Sequence, residues 1–218
     1  MPSVAERFAQ VEDRIAEACR VAGRARSSVR LVAISKKQPD ARLEAALALG
    51  HEDFGENYPQ ELDRKRRAHP GVRWHQVGHV QRNKAKLVAD CELVHSLDSL
   101  KLARALDAGE GAPTRALIQV NQAAEGSKTG LTVDALTGFF ENAASLSGLR
   151  IQGLMTIPPP GEGARYFDAL RELRDAMRVR TGLPLEELSM GMSDDFEAAI
   201  RAGATLMRVG SALFGPRP

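Results

Sequence analysis

Leu31-Val32-Ala33-Ile34-Ser35-Lys36-Lys37-Gln38-Pro39 is the stretch on which the fold turns. Its first four residues are all apolar, as in a strand covered on both faces of a parallel sheet. An open dinucleotide-binding sheet would place a Gly-x-Gly-x-x-Gly turn directly after such a strand. Ser35-Lys36-Lys37-Gln38 stands there instead. Pro39-Asp40 then opens a helical stretch through Leu43, Ala46, Leu47 and Leu49, stopped by Gly50.

The same strand-then-helix unit recurs downstream. Asp53 to Asn57 reads as a second strand, followed by a helix from Pro59 to Ala68. Trp74 to Gly78 is a third, with a helix through Lys84, Leu87 and Val88. Leu93 to Leu97 is a fourth, before a helix from Ser99 to Ala108. Arg115 to Asn121 is a fifth, and its helix starts late, near Thr132, after a polar loop. Ile151 to Met155 is a sixth; Pro158-Pro159-Pro160 then forces a loop before a helix from Ala164 to Val179. Leu188 to Met192 is a seventh, with a helix from Asp195 to Ala202, and Leu206 to Val209 is the eighth. Upstream, Val4, Phe8, Val11, Ile15 and Ala18 recur at helical spacing. Eight such units predict a (β/α)8 TIM barrel with an additional N-terminal helix. No linker or shift in composition divides the chain, so residues 1–218 are read as one domain.

Composition narrows the function classes. The chain has 218 residues, is 43% hydrophobic and carries a net charge of +2, which offers no global field for nucleic acid. Arg64-Lys65-Arg66-Arg67 is basic, but it follows Glu61 and Asp63 within a helix and reads as a solvated face. Cys19 and Cys91 are too few for a disulfide framework and fit a reducing cytoplasm. No secretory leader or bilayer-length apolar run is visible, so no membrane partner is expected.

Barrels of this type carry their chemistry at the C-terminal strand ends, with phosphate commonly held after strands seven and eight. Gly191-Met192-Ser193 and Gly210-Ser211-Ala212 occupy those two places, each before a helix. Glycine lets backbone N–H groups approach an anion, and a helix start supplies unpaired donors. Ser193 and Ser211 are equally legible as plain helix caps. Asp194 and Asp195 would repel a dianion unless their side chains turn away.

Lys36 sits at the mouth of the first buried strand, where a lysine is costly unless paired or used in chemistry. Desolvation would expose its amine as an imine-forming nucleophile; the alternative is a lysine capping the strand end in solvent. A lysine facing a phosphate cradle two strands away around the circle suits a phosphorylated aldehyde. Arg208, near the end of the eighth strand, could pair with a carboxylate. Beside a pyridine ring it would keep the ring nitrogen unprotonated and weaken the ring as an electron sink.

Several longer motifs then come into view. They are Ala33-Ile34-Ser35-Lys36, Phe54-Gly55-Glu56-Asn57-Tyr58, His75 to Lys84, Gly153-Leu154-Met155-Thr156, Ser189 to Asp195 and Arg208 to Gly215. In this order they resemble the pyridoxal phosphate homeostasis proteins, from Leu31 to Gly215. Val80 stands where leucine is usual in that family. The resemblance implies a barrel like the N-terminal domain of alanine racemase, a fold-type III pyridoxal phosphate protein, with the cofactor held as an imine on Lys36. It implies phosphate contacts from Ser193, Gly210 and Ser211, and ring contacts from Asn57, Met155 and Arg208. The implied role is cofactor storage or delivery, with cofactor-dependent apo-enzymes as partners.

The competing reading is a small amino-acid racemase. Two-base racemisation needs an acid/base group opposite the lysine. In alanine racemases that group is a tyrosine of a second domain, which a chain stopping at Pro218 is not expected to supply. Tyr58 and Tyr166 are the only tyrosines, and neither is placed as an obvious replacement. A carrier without catalytic residues, monomeric for want of that dimer-forming domain, is therefore expected. Two weaker patterns are set aside. Gly126-Ser127-Lys128-Thr129 lacks P-loop spacing, although Lys128 could approach the ligand mouth. His75 and His79 are four apart, but Gly78 breaks the helix that would align them on a metal.

Overall fold

A computed structural model describes residues 2–109, 111–123 and 129–216. Eight parallel strands close into a barrel in sequence order. They are β1 (Arg30–Ile34), β2 (Asp53–Glu56), β3 (Arg73–Gln76), β4 (Leu93–Leu97), β5 (Thr114–Gln119), β6 (Leu149–Met155), β7 (Glu187–Ser189) and β8 (Leu206–Val209). The helices are α1 (Val4–Val21), α2 (Asp40–Ala48), α3 (Pro59–Ala68), α4 (Ala85–Val88), α5 (Leu100–Asp107), α6 (Ala135–Ala143), α7 (Gly163–Thr181), α8 (Phe196–Arg201) and α9 (Ser211–Phe214). The eight expected strands are all present. Those expected to end at Asn57, Gly78, Asn121 and Met192 end one to three residues sooner, because those residues have already turned into the mouth loops. The helix expected through Lys84, Leu87 and Val88 is a 3₁₀ turn (Arg82–Lys84) followed by the single turn of α4.

The N-terminal helix begins at a capping box. Ser3 Oγ accepts from the Glu6 N–H at 3.2 Å, and Glu6 Oε2 accepts from the Ser3 N–H at 2.7 Å. Phe8, Val11, Ile15, Ala18 and Cys19 form its buried face, which packs on α8 and α9. This helix therefore covers the segments beside the closing seam, where β1 pairs with β8 and Val32 lies opposite Arg208.

Two apolar layers separate the sheet from its surroundings. The larger lies between the strands and helices and includes Phe54, Trp74, Leu97, Ile118, Leu154 and Leu188. The smaller fills the barrel: Val32, Ile34, Val77, Leu93, Leu117, Met155 and Leu206. Gly55 faces this interior, and a Cβ there would stand 2.6 Å from Ile34 Cδ1. Its neighbour in register is His75, so a bulky imidazole lies beside an empty position and the layer fills. Burying an interior leucine contributes roughly 1.5–3 kcal/mol, so this small layer is a substantial part of the stability.

The Arg64–Arg67 cluster departs from the solvated face expected of it. Arg64 and Arg67 are exposed, but Lys65 is only 1% exposed, tucked under α3. Its Nζ lies 2.6 Å from Glu56 Oε1 and 2.9 Å from Glu61 Oε1, and donates to the Ser35 carbonyl at 2.8 Å. Composition alone hides this, because the carboxylate that draws Lys65 inward comes from β2. Cys19 and Cys91 are both buried free thiols.

Candidate functional site

Segments from six strand ends converge on one cleft of about 460 Å³ at the C-terminal mouth. Lys36 and Gln38 follow β1, Asn57 follows β2, Val77 follows β3 and Ile157 lies beyond β6. Met192, Ser193 and Asp194 follow β7; Arg208, Gly210 and Ser211 come from β8 and the turn after it. Six of the seven residues singled out by sequence thus line a common space. Met155 does not; it is fully buried in the interior layer with Ile34 and Val77, which do line the cleft. Lys128 lies outside the described residues.

The turn that presents Lys36 is held from several directions. Lys37 has φ 54°, a left-handed conformation that costs a non-glycine residue roughly 1–2 kcal/mol. Its N–H donates to Glu61 Oε1 at 2.9 Å, the carboxylate that also pairs with Lys65. Ser35 Oγ donates to Glu56 Oε1 at 2.6 Å. Burial raises the Glu56 carboxyl above its usual range, against the pull of Lys65. The lysine at the strand mouth is therefore fixed by a buried ion cluster that sequence spacing did not reveal.

Around the circle, Ser193 follows β7, two strands from β1, whereas Gly210 and Ser211 follow the adjacent β8. Ser193 Oγ accepts from the Ala212 N–H at 3.3 Å and from Ser211 Oγ at 3.1 Å, so the two loops meet at the start of α9. Asp195 is turned back into its own loop, where Oδ1 accepts from the Met192 N–H at 2.7 Å. Asp194 is exposed and lines the cleft, so only one of the two aspartates leaves it. Gly191 has φ 92°, and a Cβ on it would stand 2.6 Å from Ala199 Cβ; only glycine lets the β7 loop pass α8 here.

Arg208 is 5% exposed. Its guanidinium donates to Ser189 Oγ at 2.6 Å and to the Thr156 carbonyl at 2.9 Å. Burial pushes it down to about 10, with Asp195 acting against that, so it stays protonated at neutral pH. The carboxylate partner that sequence allowed is replaced, among the described hydrogen bonds, by two neutral oxygens. On the opposite wall, Gln76 Nε2 donates to the carbonyls of Asn57 (3.0 Å) and Gly78 (2.9 Å), fixing the β2 and β3 loops together. His75 and His79 part company: His75 is inside the barrel, and His79 is exposed beside Asp98.

A second groove, about 650 Å³, lies outside the barrel between Phe140, Leu149, Ile151 and Leu183. It is larger, but it is lined by the starts of β6 and β7 and not by their C-terminal ends, so it is no place for barrel chemistry. The mouth cleft joins a lysine, two hydroxyls and a buried guanidinium around a mostly apolar floor. That donor set fits a phosphorylated aldehyde with an acceptor ring nitrogen.

Fold and cleft together define a barrel of the alanine racemase N-terminal kind, and the family model described as alanine racemase, N-terminal domain, matches residues 10–218. An alanine racemase from Corynebacterium glutamicum shares the fold, with TM-score 0.69 at 19% identity over 94% of this chain and 62% of that one. A pyridoxal phosphate homeostasis protein of Pseudomonas aeruginosa is 43% identical over 100% of this chain and 97% of its own length. The structure of PipY from Synechococcus elongatus with PLP bound superposes with TM-score 0.80 at 34% identity, covering 92% of this chain and 100% of that one. The chain belongs to the pyridoxal phosphate homeostasis protein family.

Proposed function

We propose that the chain binds pyridoxal 5′-phosphate in the mouth cleft as an imine on Lys36, and stores or hands on the cofactor without turning over an amino acid. The observation that carries this is the convergence of Lys36, Ser193, Ser211 and Arg208 on one cleft from three separate strands. The relative solved with PLP bound supports the same ligand. Condensation of the Lys36 amine with the aldehyde would form the C=N bond and release one water. The Ser193 and Ser211 hydroxyls and the N–H groups at the start of α9 would hold the phosphate. Asn57 would flank the ring, over Ile34 and Val77, which pack with Met155 in the interior layer. Arg208 would hold the ring nitrogen by donation and keep it unprotonated, which favours holding the cofactor over drawing electrons through it.

The carrier reading is favoured by the cleft's own acid/base groups. Among the described lining residues these are Lys36, Asp194 and Arg208. Arginine is a poor proton shuttle, and exposed Asp194 belongs to the loop beside the phosphate cradle. Apo-enzymes that need the cofactor are the proposed recipients, with a monomer in the cytoplasm as the acting form. Borohydride reduction of the yellow, loaded protein should fix the cofactor's mass on the peptide carrying Lys36. A colourless protein that takes up no pyridoxal phosphate would refute the reading.

A further inference from the structure

Five polar side chains form a continuous line through the barrel interior. Asp53 Oδ1 lies 3.1 Å from His75 Nε2, and His75 Nδ1 lies 3.0 Å from His95 Nε2. His95 Nδ1 lies 2.7 Å from Ser189 Oγ, which receives the Arg208 guanidinium at 2.6 Å. The two imidazoles and Ser189 are fully buried. Asp53 belongs to the opposite end of the barrel from the cleft, among Arg30, Arg73, Glu92 and Glu187.

The protons in this line have one arrangement in which every hydrogen meets an acceptor. A carboxylate at Asp53 can only accept, so His75 carries its proton on Nε2 and presents a lone pair at Nδ1. His95 Nε2 must then donate to that lone pair, leaving His95 Nδ1 to accept from the Ser189 hydroxyl. Ser189 Oγ, its hydrogen committed, accepts from Arg208. Placing a second proton on either ring leaves the Ser189 hydrogen without this partner and adds a buried positive charge beside Arg208. All four hydrogen bonds thus point from Arg208 toward Asp53, and aligned bonds in a dry interior polarise one another.

We propose that Asp53, His75, His95 and Ser189 act as one polarised chain of positioning residues, which fixes the Arg208 guanidinium beside the cofactor's ring nitrogen. The proposal rests on the cofactor reading above. It gives a buried cation an oriented dipole path to a distant carboxylate. It also explains why a barrel interior of this size spends two histidines where apolar side chains would pack.

Two experiments test it, the first on protein without cofactor. Long-range ¹H–¹⁵N correlation of ¹⁵N-histidine protein should show His75 and His95 both neutral and protonated on Nε2. A proton on Nδ1 of either ring at neutral pH overturns the chain. The second uses protein loaded with ring-¹⁵N pyridoxal phosphate. Ser189→Ala should move the ring-nitrogen resonance and raise the half-saturating cofactor concentration at least tenfold. Ser189→Thr, which keeps the hydroxyl, should restore both toward the native values. A folded Ser189→Ala protein with an unchanged ring-nitrogen resonance and affinity within twofold overturns the positioning role. Failure of the unmodified protein to take up cofactor refutes the functional reading, while the tautomers are still judged by the first experiment.

Discussion

Lys65 Nζ and Glu56 Oε1 lie 2.6 Å apart with both side chains essentially withdrawn from water. The pair is locked to the Ser35 carbonyl and hydroxyl, one residue before Lys36. Glu56 Oε2 has no hydrogen-bond partner among the described residues, so the cluster carries a desolvation cost that only good geometry offsets.

Lys65→Met should therefore cost about 3–5 kcal/mol, because it leaves a buried carboxylate without its cation. Urea unfolding measures it. The pH dependence has a definite sign. Burial raises the folded Glu56 carboxyl, so ionising it costs stability as pH rises above the usual glutamate value of 4.5. Lys65 offsets that cost in the native protein. The variant should consequently be more stable at pH 5 than at pH 8, and adding Glu56→Leu should remove this dependence and recover part of the loss.

The interior histidines give a dependence of the opposite sign. Burial holds His75 below its ordinary value, despite Asp53, and burial, with repulsion from the Arg208 guanidinium, holds His95 well below. Depressed histidines bind fewer protons folded than unfolded, so stability present above about pH 6.5 is lost as pH falls toward the folded values. The urea midpoint should drop between pH 7.5 and 5, and a His75→Gln/His95→Gln double variant should flatten the slope. Asp53 adds to the loss at lower pH. Its own burial would raise it, but hydrogen bonds from Arg73 and His75 prevail and hold it well below the usual range.

Gly78→Ala should damage the site from outside it. An added Cβ would stand 2.4 Å from the Asn57 carbonyl oxygen, which Gln76 also grips. Backbone must move, at a cost of about 1–3 kcal/mol. We expect a folded protein whose half-saturating pyridoxal phosphate concentration rises at least tenfold, read by absorbance titration.

Lys36→Ala should abolish borohydride trapping and leave the unfolding midpoint close to native, since Lys36 is outside the core and the Lys37 turn keeps its Glu61 contact. Incubating the loaded native protein with L- and D-alanine in deuterated water separates the two readings. A carrier passes cofactor to an apo-enzyme without multiple-turnover exchange at the α-carbon. Sustained exchange would establish the racemase instead.

The barrel was legible because the Leu31–Ile34 run and its later counterparts signal buried parallel strands, with helical spacing between them. The cleft was legible wherever glycine or serine marked a strand end. The buried support was not. Lys65 looks like one more surface cation until Glu56 comes beneath it from another strand. His75 and His95 lie on neighbouring strands, and their link through Ser189 to Arg208 depends on register and closure. Met155 was expected at the ring, yet it packs in the interior layer, because its place on β6 points it inward.

The seam between β1 and β8 has a consequence for synthesis. Lys36 follows β1 and Arg208 lies on β8, strands that pair directly, yet most of the chain separates the two residues. A nascent chain with seven strands emerged has the amine but neither the guanidinium nor the last glycine-serine turn. On the proposed reading, productive capture of the cofactor should wait for the final strand to dock, and the appearance of colour would time that docking.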